Sequence, residues 1–66
     1  MQITVNDRIL EIADNATLQD ALNAKEIAPQ GIATALNGRV IPAQARAATI
    51  LHEGDKIVII KAFYGG

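Results

Sequence analysis

Apolar and polar residues alternate along the first twelve positions, with one interruption at Asn6-Asp7. Alternation with a period of two predicts strands with one buried face, and a two-residue connection predicts a tight hairpin turn. In this register Val5 faces Arg8, and Ile9 falls on the polar face. The opposite face collects the other apolar side chains, which are Met1, Ile3, Val5, Leu10 and Ile12.

A short amphipathic helix is predicted next, within ADNATLQDALNAKE. Thr17 can cap its first turn, and Asp20 three residues later supplies the acid of a capping box. The apolar stripe of this helix consists of Leu18, Ala21 and Leu22. Pro29-Gln30-Gly31 ends any continuation. Because the helix has only about two to three turns, packing rather than intrinsic propensity must stabilise it.

A second hairpin is predicted within GIATALNGRVIP. Asn37-Gly38 is the strongest two-residue turn signal, since both positions tolerate a positive φ. The turn joins a strand over Ile32–Leu36 to a strand over Arg39–Ile41, and Pro42 ends the second of these. The following segment, AQARAAT, fits either a loop or a turn of helix.

The last strand is predicted after a turn within HEGDK, and it is apolar at every position from Ile57 to Ile60. Such a run indicates a central strand that is covered on both faces. We expect it to pair in parallel with the first strand. The pattern therefore predicts an α+β roll, a mixed sheet of about five strands with one main helix packed across it. Residues 1–62 would form this domain, and residues 63–66 a flexible C-terminal tail.

The composition provides few residues that could form a catalytic or metal-binding site within this domain. The chain lacks Cys and Ser, which removes disulfides, thiolate metal sites and the usual nucleophiles. His52 lies beside the turn at residues 53–55, where we interpret it as a solvated loop residue rather than a general base or metal ligand. Arg39, Arg46 and Lys56 form either a modest basic surface or ordinary solubilising charge, and the second interpretation is favoured.

Charge and hydropathy indicate which classes of partner and which cellular compartment are compatible with the sequence. The formal net charge is −1 and the charges are scattered, which argues against nucleic acid as the main partner. The sequence shows no signal peptide, lipidation motif or membrane-length apolar run, so we expect a cytoplasmic protein that does not bind membranes.

The terminal stretch KAFYGG is the next candidate site, because it ends in two glycines and a carboxylate that another enzyme could modify. A C-terminal carboxylate can be activated by ATP, and glycines can thread a narrow channel that a Cβ would obstruct. We therefore interpret Gly65 and Gly66 as a segment that another enzyme binds and modifies. The alternative is a frayed chain end. Phe63 and Tyr64 either cap the edge of the core or stay exposed as an anchor for a partner's pocket.

The chain resembles the ThiS family of sulfur carriers in thiamine biosynthesis, within the ubiquitin-like β-grasp superfamily. The resemblance spans the full length and rests on MQITVND, ATLQDAL, ATALNGRVIP, LHEGDKIVII and the terminal Gly65-Gly66. Together, the blocks LNG-x-V-x-P and EGD-x-I, spaced as they are before Gly-Gly, are fairly specific. The Ala-rich AQARAAT and the aromatic AFYGG depart from the family pattern, which bears on partner preference more than on chemistry.

The resemblance implies a carrier that is not itself a catalyst and binds no cofactor, and a monomer that exchanges between partners is the simplest expectation. A ThiF-like adenylating enzyme would use ATP and Mg²⁺ to activate the Gly66 carboxylate. Sulfur from a cysteine desulfurase persulfide would convert it to a thiocarboxylate, and a ThiG-like thiazole synthase would take up that sulfur. Gly65 would thread the tail into the partner, and the docking surface would include Ile59, Phe63 and Tyr64.

Four alternatives remain at this point. The small subunit of molybdopterin synthase shares the thiocarboxylate chemistry but tends to be longer, with prolines in its tail. A carrier for another sulfur pathway and a ubiquitin-like conjugated modifier would use Gly66 in related ways. An RNA-binding or regulatory β-grasp module would need a basic face and no use for the terminus, which the near-neutral charge disfavours.

Overall fold

The computed structural model describes residues 1–61. The predictions for Phe63, Tyr64, Gly65 and Gly66, and for the domain boundary at residue 62, lie outside the described residues and stay predictions. The elements are β1 (Gln2–Val5), β2 (Arg8–Glu11), α1 (Leu18–Ala24), β3 (Ile32–Leu36), β4 (Arg39–Ile41), a 3₁₀ helix (Ala43–Ala48) and β5 (Lys56–Lys61). The predicted order of strands and main helix is confirmed, and AQARAAT contains the 3₁₀ helix.

The five strands form one mixed sheet in the order β2-β1-β5-β3-β4. β1 and β5 pair in parallel, with Thr4 beside Lys56 and Val5 beside Ile57, as predicted. The other neighbouring strands pair antiparallel. The structure therefore confirms the predicted α+β roll, with β5 at the centre of the sheet.

Both predicted hairpins have the predicted register. In the first, Val5 pairs with Arg8, and both turn residues have a positive φ, 50° at Asn6 and 67° at Asp7. In the second, Leu36 pairs with Arg39 across Asn37-Gly38, where φ is 50° and 86°. These conformations suit short polar side chains and glycine, and they match the right-handed twist of the paired strands.

The capping box at the start of α1 is also confirmed. The backbone N–H of Asp20 donates to Thr17 Oγ1 at 3.2 Å, and the N–H of Thr17 donates to Asp20 Oδ2 at 2.9 Å. The predicted apolar stripe of the helix is buried. It packs on one face of the sheet, where the core cluster consists of Ile3, Val5, Leu18, Ala21, Leu51 and Ile57.

The helix ends at Ala24, before the proline that was expected to stop it. Glu26 takes a left-handed φ of 55°. The N–H of Glu26 donates to the carbonyl of Asn23 at 3.0 Å, and the N–H of Ile27 to that of Leu22 at 2.9 Å. These two bonds define a Schellman motif with Glu26 at the position that usually holds glycine. A local cap therefore terminates the helix, and the proline does not.

The prediction that the last strand is covered on both faces is wrong, although its central position is confirmed. Ile57 is fully buried against the core, whereas the side chain of Ile60 is 57% exposed. The difference arises because α1 packs on only one face of the sheet. Within residues 1–61 no helix covers the other face, so alternate apolar residues of β5 meet solvent.

The interpretation of Arg46 as a surface charge is wrong, because its side chain is only 3% exposed. Its Nε donates to Thr34 Oγ1 at 3.1 Å, while Nη1 and Nη2 donate to the carbonyls of Pro29 and Ile32 at 3.0 and 2.9 Å. The Thr34 hydroxyl in turn donates to the carbonyl of Ile41 at 2.9 Å. A single guanidinium thus ties the loop before β3 to the 3₁₀ helix and to the β3–β4 hairpin.

We expect the Arg46→Met variant to lose about 2–4 kcal/mol of unfolding free energy, because buried acceptors lose their donors. Arg46→Lys should recover little, since an ammonium cannot reproduce the planar fork of donors. Arg39→Met is the matched control at an exposed position and should stay within about 0.5 kcal/mol of wild type. Urea denaturation measures all three. Equal stabilities for the two methionine variants would contradict this account.

We expect the Glu26→Gly variant to gain about 0.5–1 kcal/mol of unfolding free energy, because glycine has no Cβ to strain in the left-handed conformation. Lys25→Gly is the control. Its φ of −91° needs no glycine, so that change should be neutral or destabilising. Thermal unfolding distinguishes them, since 1 kcal/mol corresponds to about 4–8 °C in a domain of this size. A lower midpoint for Glu26→Gly than for wild type would refute the strain argument.

Candidate functional site

The described residues offer little that could perform catalysis. The imidazole of His52 is 81% exposed, with Nδ1 4.0 Å from Asp55 Oδ2, so the prediction of a solvated loop residue is confirmed. Across residues 1–61 no three His, Asp or Glu side chains are grouped closely enough to hold a metal ion. In the same range, no helix has the length and apolar character needed to cross a membrane.

The two sequence blocks that carried the family resemblance contact each other through Asn37 and Asp55. Asp55 Oδ1 accepts from Asn37 Nδ2 at 3.0 Å, and its Oδ2 accepts from the N–H of His52 at 2.7 Å. Asn37 Oδ1 accepts from the N–H of Lys56 at 2.9 Å, and the N–H of Asn37 donates to the carbonyl of Lys56 at 2.8 Å. The turn of the second hairpin is thereby fixed to the start of β5.

The opposite side of β5 is held by Asn6, in the turn of the first hairpin. The N–H of Ile59 donates to Asn6 Oδ1 at 2.7 Å, and Asn6 Nδ2 donates to the carbonyl of Ile59 at 3.4 Å. The Asn6 side-chain amide therefore both accepts from and donates to the backbone of β5, as a peptide group of a longer β1 would. Because both hairpin turns hold β5, the strand that leads toward Gly66 is firmly positioned as far as Ile59.

The structure places the predicted docking residue Ile59 on the helix side of the sheet. Its side chain is half-buried and packs against the core. Its docking role stays a prediction. The exposed apolar residue of this strand is its neighbour Ile60, which sequence reasoning missed. Strand alternation already placed Ile60 on the opposite face of the sheet from Ile57 and Ile59. Because the strand was expected to be covered on both faces, Ile60 was not predicted to be exposed.

Small and branched apolar side chains line the solvent-facing side of the sheet around Ile60. Ala35 pairs with Val40 on β4 and with Val58 on β5, and Ala33 pairs with Ile60. Val40 and Ile60 are among the exposed large hydrophobic residues. We call this surface the outer face, and it consists of Ala33, Ala35, Val40, Val58 and Ile60. Exposed apolar residues that cluster in this way favour a contact with another protein.

A groove of about 370 Å³ lies where β5 ends. It is lined by residues 26–28 and 30–32, between α1 and β3, and by Lys61. We call it the exit groove, because the chain continues from Lys61 into the tail. Among residues 1–61, the outer face and the exit groove are therefore two surfaces that lie close to the end of β5.

A mixed sheet whose first and last strands pair in parallel, with a helix packed across one face, defines a β-grasp protein. Solved structures that share this arrangement include the following two. One is the crystal structure of the thiamine biosynthesis protein ThiS from Geobacter metallireducens, with a TM-score of 0.82, 29% identity and coverage of 100% of this chain and 99% of that one. The other is an NMR solution structure of a thiamine biosynthesis protein from Geobacter metallireducens, with a TM-score of 0.77, 28% identity and coverage of 100% and 88%.

Comparison at the sequence level identifies the family. The ThiS family model matches residues 1–66. The Sulfur carrier protein ThiS of Escherichia coli strain K12 is 30% identical over 66 residues, which cover 100% of both chains. The chain therefore belongs to the ThiS family, and the predicted resemblance is confirmed.

Proposed function

We propose that this chain is a cytoplasmic sulfur carrier in thiamine biosynthesis, a protein co-substrate of partner enzymes rather than a catalyst. The observation that carries the proposal is the family match over residues 1–66, which includes the terminal Gly65-Gly66. The central strand β5, which ends at Lys61, also supports it, because this strand directs the chain toward those glycines. The absence of Cys and Ser is consistent with a protein whose chemistry takes place at its carboxyl group.

In this proposal a ThiF-like enzyme binds ATP and Mg²⁺, and the carrier holds neither. The Gly66 carboxylate oxygen attacks the α-phosphorus of ATP and displaces pyrophosphate, which leaves an acyl-adenylate. The terminal sulfur of a persulfide, formed by a cysteine desulfurase or a related donor, attacks the carbonyl carbon and displaces AMP. A thiol then cleaves the S–S bond and leaves a thiocarboxylate on Gly66, whose sulfur a ThiG-like thiazole synthase incorporates into the thiazole ring.

The carrier's contribution is to present its terminus to each partner. Gly65 lets the extended tail pass through a narrow channel, because it has no Cβ. We propose the outer face as the docking surface for the ThiF-like enzyme, since Val58 and Ile60 lie on the strand that leads to Gly66. Any enzyme that takes up the terminus must approach β5. Ile59, Phe63 and Tyr64 remain further candidates for this contact.

Accurate-mass fragmentation of the C-terminal peptide, from protein purified from its native host, tests the chemistry. Exchange of one carboxylate oxygen for sulfur adds about 16 Da, and oxidation of Met1 to its sulfoxide adds nearly the same mass. The change must therefore be localised to Gly66. We expect a thiocarboxylate there when downstream sulfur transfer is blocked in cells that make thiamine. A chain lacking Gly66 is the control and should carry none. An unmodified Gly66 under these conditions would refute the carrier role, and an isopeptide-linked Gly66 would indicate a conjugated modifier.

Titration calorimetry with the cognate adenylating enzyme tests the docking surface. We expect the Ile60→Asp variant to bind at least tenfold more weakly, a loss of about 1.4 kcal/mol, because the change places a charge in an apolar contact. Ile9→Asp is the matched control, since Ile9 is also exposed but lies on the edge strand β2. It should bind like wild type. An Ile60→Asp variant that binds as tightly as wild type would exclude the outer face as the docking surface.

A further inference from the structure

Both apolar and charged side chains line the exit groove. Its apolar lining residues are Ile27 and Ile32, which are half-buried, and Ala28, which is exposed, and its charged lining residues are Glu26 and Lys61. Its volume of about 370 Å³ exceeds the cavity of about 150 Å³ that accommodates a benzene ring in an engineered protein core. The groove is therefore large enough for an aromatic side chain.

Polar contacts hold the walls of the groove in place. On one side, the Schellman motif anchors Ile27 through its N–H to the carbonyl of Leu22. On the other side, the buried Arg46 donates to the carbonyls of Pro29 and Ile32, at 3.0 and 2.9 Å. Because these contacts lie within the domain itself, the groove does not require a ligand to form.

The register of β5 indicates which tail residue can reach this groove. Ile57 and Ile59 face the helix side of the sheet, and Lys61 lines the groove. Continued alternation would place Phe63 on this same side and Tyr64 on the other. Phe63 follows Lys61 by two residues, a reach of roughly 7 Å in an extended chain. The chain therefore continues from a residue that lines the groove, and its sequence has an aromatic residue two positions later.

We propose that Phe63 docks intramolecularly in the exit groove of the free protein, over Ile27 and Ile32. The ring covers the half-buried side chains of Ile27 and Ile32, and the tail rests against its own domain. For the carrier cycle, a consequence that rests on the proposed function, the ring must leave the groove before the terminus can extend fully into a partner enzyme. Docking then limits how often the activated terminus is exposed between partners.

NMR spectroscopy of the isolated protein tests the docking. In wild type we expect nuclear Overhauser contacts between the Phe63 ring and the methyl groups of Ile27 and Ile32, together with ring-current shifts of those methyl resonances. The Phe63→Ala variant should lose the shifts. Tyr64→Ala, the matched control, should keep them. Methyl resonances that are the same in wild type and Phe63→Ala, with no contacts from the ring, would overturn the proposal.

A second pair of variants changes the groove and leaves the tail intact. Ala28→Asp places a charge in the lining of the groove at an exposed position, so it should release Phe63 and remove its contacts. Ala47→Asp is the control at an exposed alanine of the 3₁₀ helix, and it should leave the contacts unchanged. Contacts that persist in Ala28→Asp would overturn docking at this groove.

Docking within one chain is distinguishable from docking between two copies. Contacts found only between differently labelled chains in a mixed sample would mean that the groove takes the tail of a second copy, which overturns intramolecular docking. The NMR experiment uses the protein without any partner enzyme, whereas the carrier role is tested by the mass-spectrometric detection of sulfur on Gly66. Failure of either proposal therefore leaves the other one standing.

Discussion

The pairing of β5 between β1 and β3 is the interaction on which the rest of the structure depends. The two hairpins are local units, and neither contacts the other's strands in the sheet except through β5. β5 joins β1 at Thr4 and Val5, and it runs beside the whole of β3. The burial of Ile57, which has no exposed surface, depends on both pairings. The domain therefore forms only when residues distant in sequence meet, which is typical of slower-folding β topologies.

Polar side chains support a core that is small for a stable domain. With 66 residues the chain can bury only a few large apolar groups, and domains of this size are marginally stable without added constraints. Here the constraints are hydrogen bonds of Arg46, Asn37, Asp55 and Asn6 that join elements far apart in sequence. No buried side-chain polar atom among the described residues lacks a partner, so these groups stabilise the fold without the cost of unpaired burial.

Sequence reasoning succeeded where the signal was local. Asn37-Gly38 specifies its hairpin because few residue pairs accept that turn, and Thr17 with Asp20 specifies the helix start. It failed for Arg46 and Ile60, because burial depends on what packs against a position. Arg46 did carry a weak signal, as the lone Lys, Arg, Asp or Glu between Arg39 and Glu53. The tail glycines were interpreted from chemistry and family resemblance, and the fold of residues 1–61 does not enter that interpretation.

The two edge strands of the sheet have features that disfavour the addition of a further strand. β4 has three residues and is followed at once by Pro42, which lacks an N–H to donate to an added strand. β2 has four residues and carries the charges of Arg8 and Glu11 at its ends. Short, charged or proline-bounded edges resist the strand addition that leads to aggregation. The exposed apolar side chains Val40 and Ile60 thus lie on a face of the sheet, whereas its edges offer little backbone for another strand to pair with.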